Sequence, residues 1–169
     1  TSLKAATEIG ESFSGVEDVA ILHRGFHGDV AFGDKVLPLS GFFANASLFN
    51  VFSFQMIHGD ASTALRDPFS VVLTERSAYK IFGDTNAIGK VLTIGQEENE
   101  HQYTVTGVMQ DVPIFSHMKF EMLASLSTRR ITEKDNEREM KWDNMWNAWT
   151  YILLPDDANI ADVKKRLTL

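Results

Sequence analysis

The run from Phe42 to Pro113 limits what this chain can fold into more than any other stretch. It reads FFANASLFNVFSFQMIHGD, then ALRDPFSVVLTERSAYKIFGDTNAIGKVLTIG, then YTVTGVMQDVP. Phenylalanines cluster early. Ser70 to Leu73 is a short apolar strand, and Thr74 is placed to cap the helix that follows, with Glu75 in its first turn against the helix dipole. Ala78, Ile81 and Phe82 form the helix's apolar stripe, and Gly83 stands where a C-terminal glycine is wanted. Ile88-Gly89-Lys90 leads into a strand from Val91 to Ile94. Gln102 to Met109 alternates strongly, with Tyr103, Val105 and Gly107 on one face, and should pair with it as a hairpin. The run supplies packing and turn positions but no nucleophile, metal cluster or phosphate loop. That contrast argues for a mechanical or binding module rather than an enzyme.

The flanking sequence is read the same way. Leu3, Ala6, Ile9 and Phe13 recur at spacings of three and four, which predicts a short helix from Leu3 to Phe13 stopped near Gly15. Val16 to Phe26 is expected as a strand, with Gly25 and Gly28 bracketing a turn. Val30 to Phe42 is expected as a second strand, broken by Gly33-Asp34 and by Pro38. Asn45 is a good N-cap for a helix from Ala46 to Phe52, whose Leu48, Phe49 and Phe52 share a face. Gly59-Asp60 closes the next piece, and Ser62 to Leu65 reads as one helical turn ended by Asp67-Pro68. Lys119 to Leu126 is expected as a strand with Phe120, Met122 and Ala124 alternating. Thr128 to Met140 is charge-rich, so an exposed helix or a mobile loop is expected there. Thr150 to Leu154 is a last strand, and Asn159 caps a helix from Ile160 to Leu167 whose Lys164, Lys165 and Arg166 suit its C-terminal end.

Composition narrows the function. The 169 residues suit one domain or two small subdomains, and a chain of about 150 residues buries roughly 68–70% of its unfolded surface, enough for an unstapled core. The net charge of −7 opposes a nucleic-acid phosphate binder, which needs a basic face, and opposes docking on anionic lipid except through a local basic patch. With no cysteine there is no disulfide or thiol chemistry. No apolar run approaches the ~20 residues of a spanning helix. The chain opens on Thr1 rather than Met, so we expect residue 1 to be an internal boundary of a longer protein.

Candidate chemistry is thin. His23 and His27 are four apart, but across Gly25 in a strand and turn that spacing does not converge on a metal, and two ligands fall short of the usual three or four. His58, His101 and His117 stand alone. Asp135, Glu137, Glu139 and Asp143 lie beside Trp142, Trp146 and Trp149, which invites a glycosidase reading; the plainer reading is a solvated charged helix followed by tryptophans that fix it to the core. No Gly-x-Ser-x-Gly elbow and no Walker-type loop occurs, and Gly89-Lys90 reads as a turn glycine before a strand. Catalytic, cofactor-binding and metal residues are therefore expected to be none. Phe42, Phe43, Phe49, Phe52, Phe54 and Phe69 should be mostly core, with one or two available to a groove for a hydrophobic peptide, a lipid or a partner domain.

Roughly from Leu39 to Leu154, the order of these pieces resembles the MacB-like periplasmic core domain of FtsX/MacB-type ABC transporter permeases. The resemblance rests on Phe42-Phe43, Leu48-Phe49-Asn50-Val51-Phe52, Gly59-Asp60, Val71 to Glu75, Phe82-Gly83-Asp84, Ile88-Gly89-Lys90, Val105 to Val108 and Asp111-Val112-Pro113. Ser116-His117-x-Lys-Phe and the late tryptophans resemble the Bacteroidetes-type variant. The resemblance implies an α+β fold: a porter-like subdomain built from both chain ends (about 1–55 and 119–169), with a second, mostly β lobe (about 56–118) inserted between them. It implies a non-enzymatic domain without cofactors at the periplasmic face of the bacterial inner membrane. Its partners would be its own flanking transmembrane helices, a cytoplasmic ATPase subunit, and a periplasmic partner protein or a hydrophobic or peptide substrate. A permease dimer is implied, with the isolated domain monomeric. Function would be mechanotransmission or export, with force entering at the two terminal helices. The alternative is a freestanding extracytoplasmic ligand-binding module with an apolar pocket.

Overall fold

The computed structural model of the chain describes residues 1–13, 15–95, 100–132 and 141–167. The fold is α+β. Helix α1 (Leu3–Ser12) leads into a 15-residue strand β1 (Asp18–Phe32), which turns at Gly33-Asp34 into β2 (Lys35–Ala44). Next come α2 (Ser47–Phe52), β3 (Met56–His58), β4 (Ser70–Thr74), α3 (Glu75–Phe82), β5 (Val91–Gly95) and β6 (His101–Met109). Strand β7 (Met122–Ser125), α4 (Leu126–Thr132), β8 (Ala148–Leu153) and α5 (Ile160–Leu167) complete the described elements.

The strands pair in the order β2-β7-β4-β6-β5-β1-β8, with β3 on β6 and a further β1–β2 pairing. β4–β6 and β2–β7 are parallel, and the remaining pairings are antiparallel. Helix α1 and the last strand both lie against β1. α1 buries Leu3 and Ala6 in the same apolar cluster as Val19 and Ile21 of β1, and β1 pairs with β8 from Asp18↔Leu153 to His23↔Ala148. The middle of the chain supplies β3 to β6, joined to the rest through β1–β5 and β4–β7.

Period-two alternation explains the two apolar cores. Val71 and Leu73 of β4 and Met122 and Ala124 of β7 enter one cluster, while Val72 and Leu123 enter the other with Leu22, Leu48 and Phe49. Because both faces of β4 and β7 are buried, these strands read as continuous apolar runs. α3 forms as its sequence requires. Thr74 accepts from the Ser77 amide at 3.3 Å, Gly83 ends the helix in the left-handed region, and Ala78 and Ile81 are buried.

Four expectations need correction. The Gly25–Gly28 turn does not exist, because β1 runs straight through it. Gly25, at φ 96°, is a bulge: the register passes from His23↔Phe43 to Phe26↔Gly41, so β1 carries one extra residue. That residue switches the parity of the strand, which lets Phe26 and Val30 share a face with Val19 and Ile21. Gly28 serves a close crossing instead, since a Cβ there would stand 3.2 Å from Gly95 Cα. Pro38 does not break β2 either. It pairs with Asp29, and alternation counted from the two-residue turn places it where an amide would point away from β1.

Asn45 is not an N-cap, and α2 starts behind Ala46 without a side-chain cap. The Asn45 amide instead accepts from Ile21 N at 2.9 Å and donates to Val19 O at 2.8 Å. It continues the ladder past the point where β2 turns away. Finally, Lys119–Leu126 is a strand only over Met122–Ser125, and Leu126 already opens α4. Of the expected charged segment, the described part is helical to Thr132; residues 133–140 lie outside the described residues.

Candidate functional surface

The phenylalanines divide. Phe43 and Phe49 are buried, whereas Phe42, Phe52, Phe54 and Phe69 are half-buried. Phe42, Phe52 and Phe54 continue into an aromatic seam on the side of the second core. Phe42 meets Phe120 at 6.2 Å and Trp149 at 5.4 Å, Phe54 meets Phe120 at 5.9 Å, and Phe52 meets Tyr151 at 4.8 Å. Most of these contacts are edge-to-face, the arrangement that aromatic quadrupoles favour. Arg24 caps the seam with its guanidinium 4.2 Å from the Trp149 ring, and His117 Nε2 lies 2.8 Å from the Tyr151 hydroxyl. Burial raises the Tyr151 hydroxyl above the usual phenol range. The seam fills itself, ring against ring.

Two clefts carry charged and polar side chains in their walls. One of about 280 Å³ runs between α3 and the loop after β6, where Arg76 pairs with Asp111 at 3.2 Å and Lys80 with Glu121 at 3.4 Å. Another, of about 570 Å³, lies beside α2 with Asp18, Ser47, Asn50 and Ser62 in its wall. Burial pushes the Asp18 carboxyl up, but hydrogen bonds from Ser47, Asn50 and the Val19 amide outweigh it and hold the carboxyl below the usual range. Asp60 and Asp84 are likewise lowered, chiefly by donors in their own turns, Ser62 and the Asn86 amide respectively. The hydrogen bonds at Asp60 and Asp84 tighten local turns, and those at Asp18 tie the start of β1 to α2.

The histidines do not converge. His23 is buried, with Nδ1 2.7 Å from Arg24 O, while His27 is exposed. His58 contacts Thr85, and His101 stacks near Phe69. Among the described residues no group of three or more His, Cys, Asp or Glu side chains is placed to hold a metal. Gly89 is a turn glycine at φ 78°, and Lys90 lies over the Phe82 ring. Asp143 is exposed, and Asp135, Glu137 and Glu139 lie outside the described residues. Tyr103, between Phe26 and Phe69, has its hydroxyl pushed up by burial to about 12. It is a core phenol.

The tryptophans depart from expectation. Trp142 is 57% and Trp146 85% exposed, so these two rings stand outside the core, whereas Trp149 joins the seam. Sequence reasoning assigned these side chains to packing because tryptophan is usually buried. Beside them lies the start of the chain. Thr1 N donates to Ala148 O at 2.8 Å, and the Thr1 and Thr150 hydroxyls are 2.5 Å apart. At the other end, Asn159 Oδ1 accepts from the Ala161 amide at 3.0 Å and so caps α5, which is mostly exposed. Among the described residues no helix is long and apolar enough to cross a membrane.

The comparisons with known proteins fit this architecture. No curated protein matches the chain. Among solved structures, the chain is similar to a domain of a protein described as a permease from Porphyromonas gingivalis, at TM-score 0.80 and 21% identity over 98% of this chain and 67% of that one. It is also similar to the periplasmic region of MacB from Actinobacillus actinomycetemcomitans, at TM-score 0.71 and 20% identity over 99% and 71%. The extracellular domain of the ABC-type transporter YknZ from Gram-positive bacteria matches at TM-score 0.64 and 13% identity, over 98% and 77%. At such identities the likeness speaks for the fold. The MacB-like periplasmic core domain family matches residues 1–169 in full. The chain therefore belongs to the MacB-like periplasmic core domain family, the extracytoplasmic domains of ABC transporter permeases.

Proposed function

We propose that this domain sits at the periplasmic face of the inner membrane and relays the motion of flanking membrane helices, driven by a cytoplasmic ATPase, to a periplasmic partner or substrate. The observation that carries the reading is the coupling of the chain's start to its last strand. Thr1 is hydrogen-bonded to Ala148 and Thr150, and β8 is zipped to β1 over six residue pairs. A pull at residue 1 is thus delivered to β8, and through the short 154–159 link to α5. In this reading residues of about 1–55 and 119–169 form the driven part and about 56–118 the lobe that is moved. The β1–β5 and β4–β7 pairings are the connections that carry motion between them. Two copies would act together in a permease dimer.

The test uses the full-length permease with its ATPase in lipid nanodiscs. Spin labels are placed on Ala161→Cys in α5 and Ser62→Cys in the lobe, both exposed positions, with any cysteine outside residues 1–169 replaced by serine. The expected result is a distance distribution that shifts between the nucleotide-free and ATP-bound states. An unchanged distribution, with ATP hydrolysis intact, refutes the relay. Apolar spans of ~20 residues on both sides of residues 1–169 in the whole protein are a second requirement.

A further inference from the structure

We propose that Trp142, Met145 and Trp146 rest in the headgroup region of the bilayer, so that the 141–147 segment is a lipid-facing foot of the domain. The inference rests on the permease reading in one respect: residue 1 is taken to face the membrane. The geometry supplies the rest. Trp142 and Met145 are each 57% exposed and Trp146 is 85% exposed, an unusual concentration of large apolar side chains within five residues. The next residues are Asn147 and then Ala148, whose carbonyl oxygen holds the Thr1 nitrogen at 2.8 Å. The exposed tryptophans and the chain's start therefore lie at the same end of the domain. Lys4, in the first turn of α1, brings its ammonium to 5.2 Å from the Trp142 ring centroid, and so joins that end to the foot.

The chemistry favours a lipid interface as the occupant over a pocketed ligand. Tryptophan combines a broad apolar ring with a polar N–H, and it concentrates where acyl chains meet headgroups. Lysine beside it can bury its stem and leave its charge among headgroup phosphates. Neither cleft described above is lined by Trp142, Met145 or Trp146. The consequence is mechanical. A domain resting on the bilayer is held in tilt as well as tethered, so membrane-helix motion at residue 1 is converted into rotation of the sheet rather than into free swinging.

The experiment supplies the membrane artificially, so that its outcome does not depend on transport. The 169-residue chain is tethered by an N-terminal hexahistidine to phosphatidylethanolamine–phosphatidylglycerol vesicles containing nickel-chelating lipid. An environment-sensitive fluorophore is placed on Asp143→Cys, which leaves the tryptophans intact. A second protein carries it on Asp34→Cys, at the β1–β2 turn and about 30 Å along β1 from the His23–Ala148 pair at ~3.3 Å per residue. The expected result is a blue shift at position 143 with strong quenching by lipids labelled near the headgroup, none at position 34, and loss of the quenching in Trp142→Ser/Trp146→Ser. The side chains replaced are largely exposed, so the double variant should melt within a few degrees of the parent. Absence of quenching at 143, equal quenching at 34, or quenching that survives the double variant overturns the proposal. A failed relay experiment with a positive result here would leave the foot standing and remove only the transmission of motion.

Discussion

Gly41 gives the sharpest test of how this sheet is held together. It lies in β2 opposite Met122 of β7, the first of four residue pairs, Gly41↔Met122 to Ala44↔Ser125, that join β2 to β7 in parallel. A Cβ at Gly41 would overlap the Met122 carbonyl oxygen and stand 2.9 Å from both its carbonyl carbon and its Cγ. A relaxed carbon-to-oxygen contact is ~3.3–3.6 Å, so Gly41→Ala must part the strands by on the order of 1 Å. The obstacle is backbone, which cannot rotate away. Overpacking of this kind costs about 1–3 kcal/mol, and loosening one or two ladder hydrogen bonds adds about 1 kcal/mol each. We expect Gly41→Ala to lose about 3–4 kcal/mol, which for a chain of this size lowers Tm by roughly 8–15 °C. Gly10→Ala is the matched control. It sits inside α1, where a new Cβ would be 3.7 Å from Val19 Cβ, an ordinary contact. Alanine is the better helix former by about 0.5–1 kcal/mol, so this variant should gain about that much. Thermal melts by circular dichroism and urea titrations measure both, with amide exchange at residues 122–125 reporting whether the damage is local. A Gly41→Ala protein within about 1 kcal/mol of the parent would refute the claim that β2 and β7 require this close approach.

Two further outcomes follow from buried polar groups. Asn45→Ala removes both hydrogen bonds that extend the ladder to Val19 and Ile21, leaving two partly buried backbone groups to find water; a loss of about 2–3 kcal/mol in urea unfolding is expected, and less than about 0.5 kcal/mol would show the clamp to be dispensable. Tyr103 has a folded-state value of about 12 against an unfolded value near 10. Its contribution is therefore full below pH ~10 and is lost as pH rises towards the folded value. At about pH 11 the parent should have lost on the order of 1 kcal/mol relative to Tyr103→Phe, measured against the same pair at about pH 8; an equal difference at both pH values would contradict the burial of the phenol.

Local chemistry made much of the secondary structure legible. Thr74, Glu75 and Gly83 bound α3 because capping is a short-range matter, and the β5–β6 pairing was readable from alternation. Other residues misled for a common reason. Gly25 and Gly28 look like a turn because glycine permits one, yet the same freedom serves a bulge and a close strand crossing, and only the partners β2 and β5 decide between these uses. Asn45 carries the right side chain for an N-cap, but β1 lies within reach and offers its Ile21 amide and Val19 carbonyl. The tryptophans read as core by their usual burial. Two of the three are exposed because they fall in the segment before β8, where no described element covers them.

By itself the sequence determined the mixture of helices and strands, the caps of α3, and the ordered run of motifs from Phe42-Phe43 to Asp111-Val112-Pro113 whose family resemblance implied the α+β class. These are written in neighbours a few residues apart. Tertiary structure alone decided that β1 is one long bulged strand serving β2, β5 and β8, that Gly41 must stay bare, and that Thr1 lies against β8. It also decided that Trp142 and Trp146 stand exposed at that same end. Each of these depends on which distant backbone arrives beside the residue, and the hydrophobic pattern of a single strand carries no record of its partner.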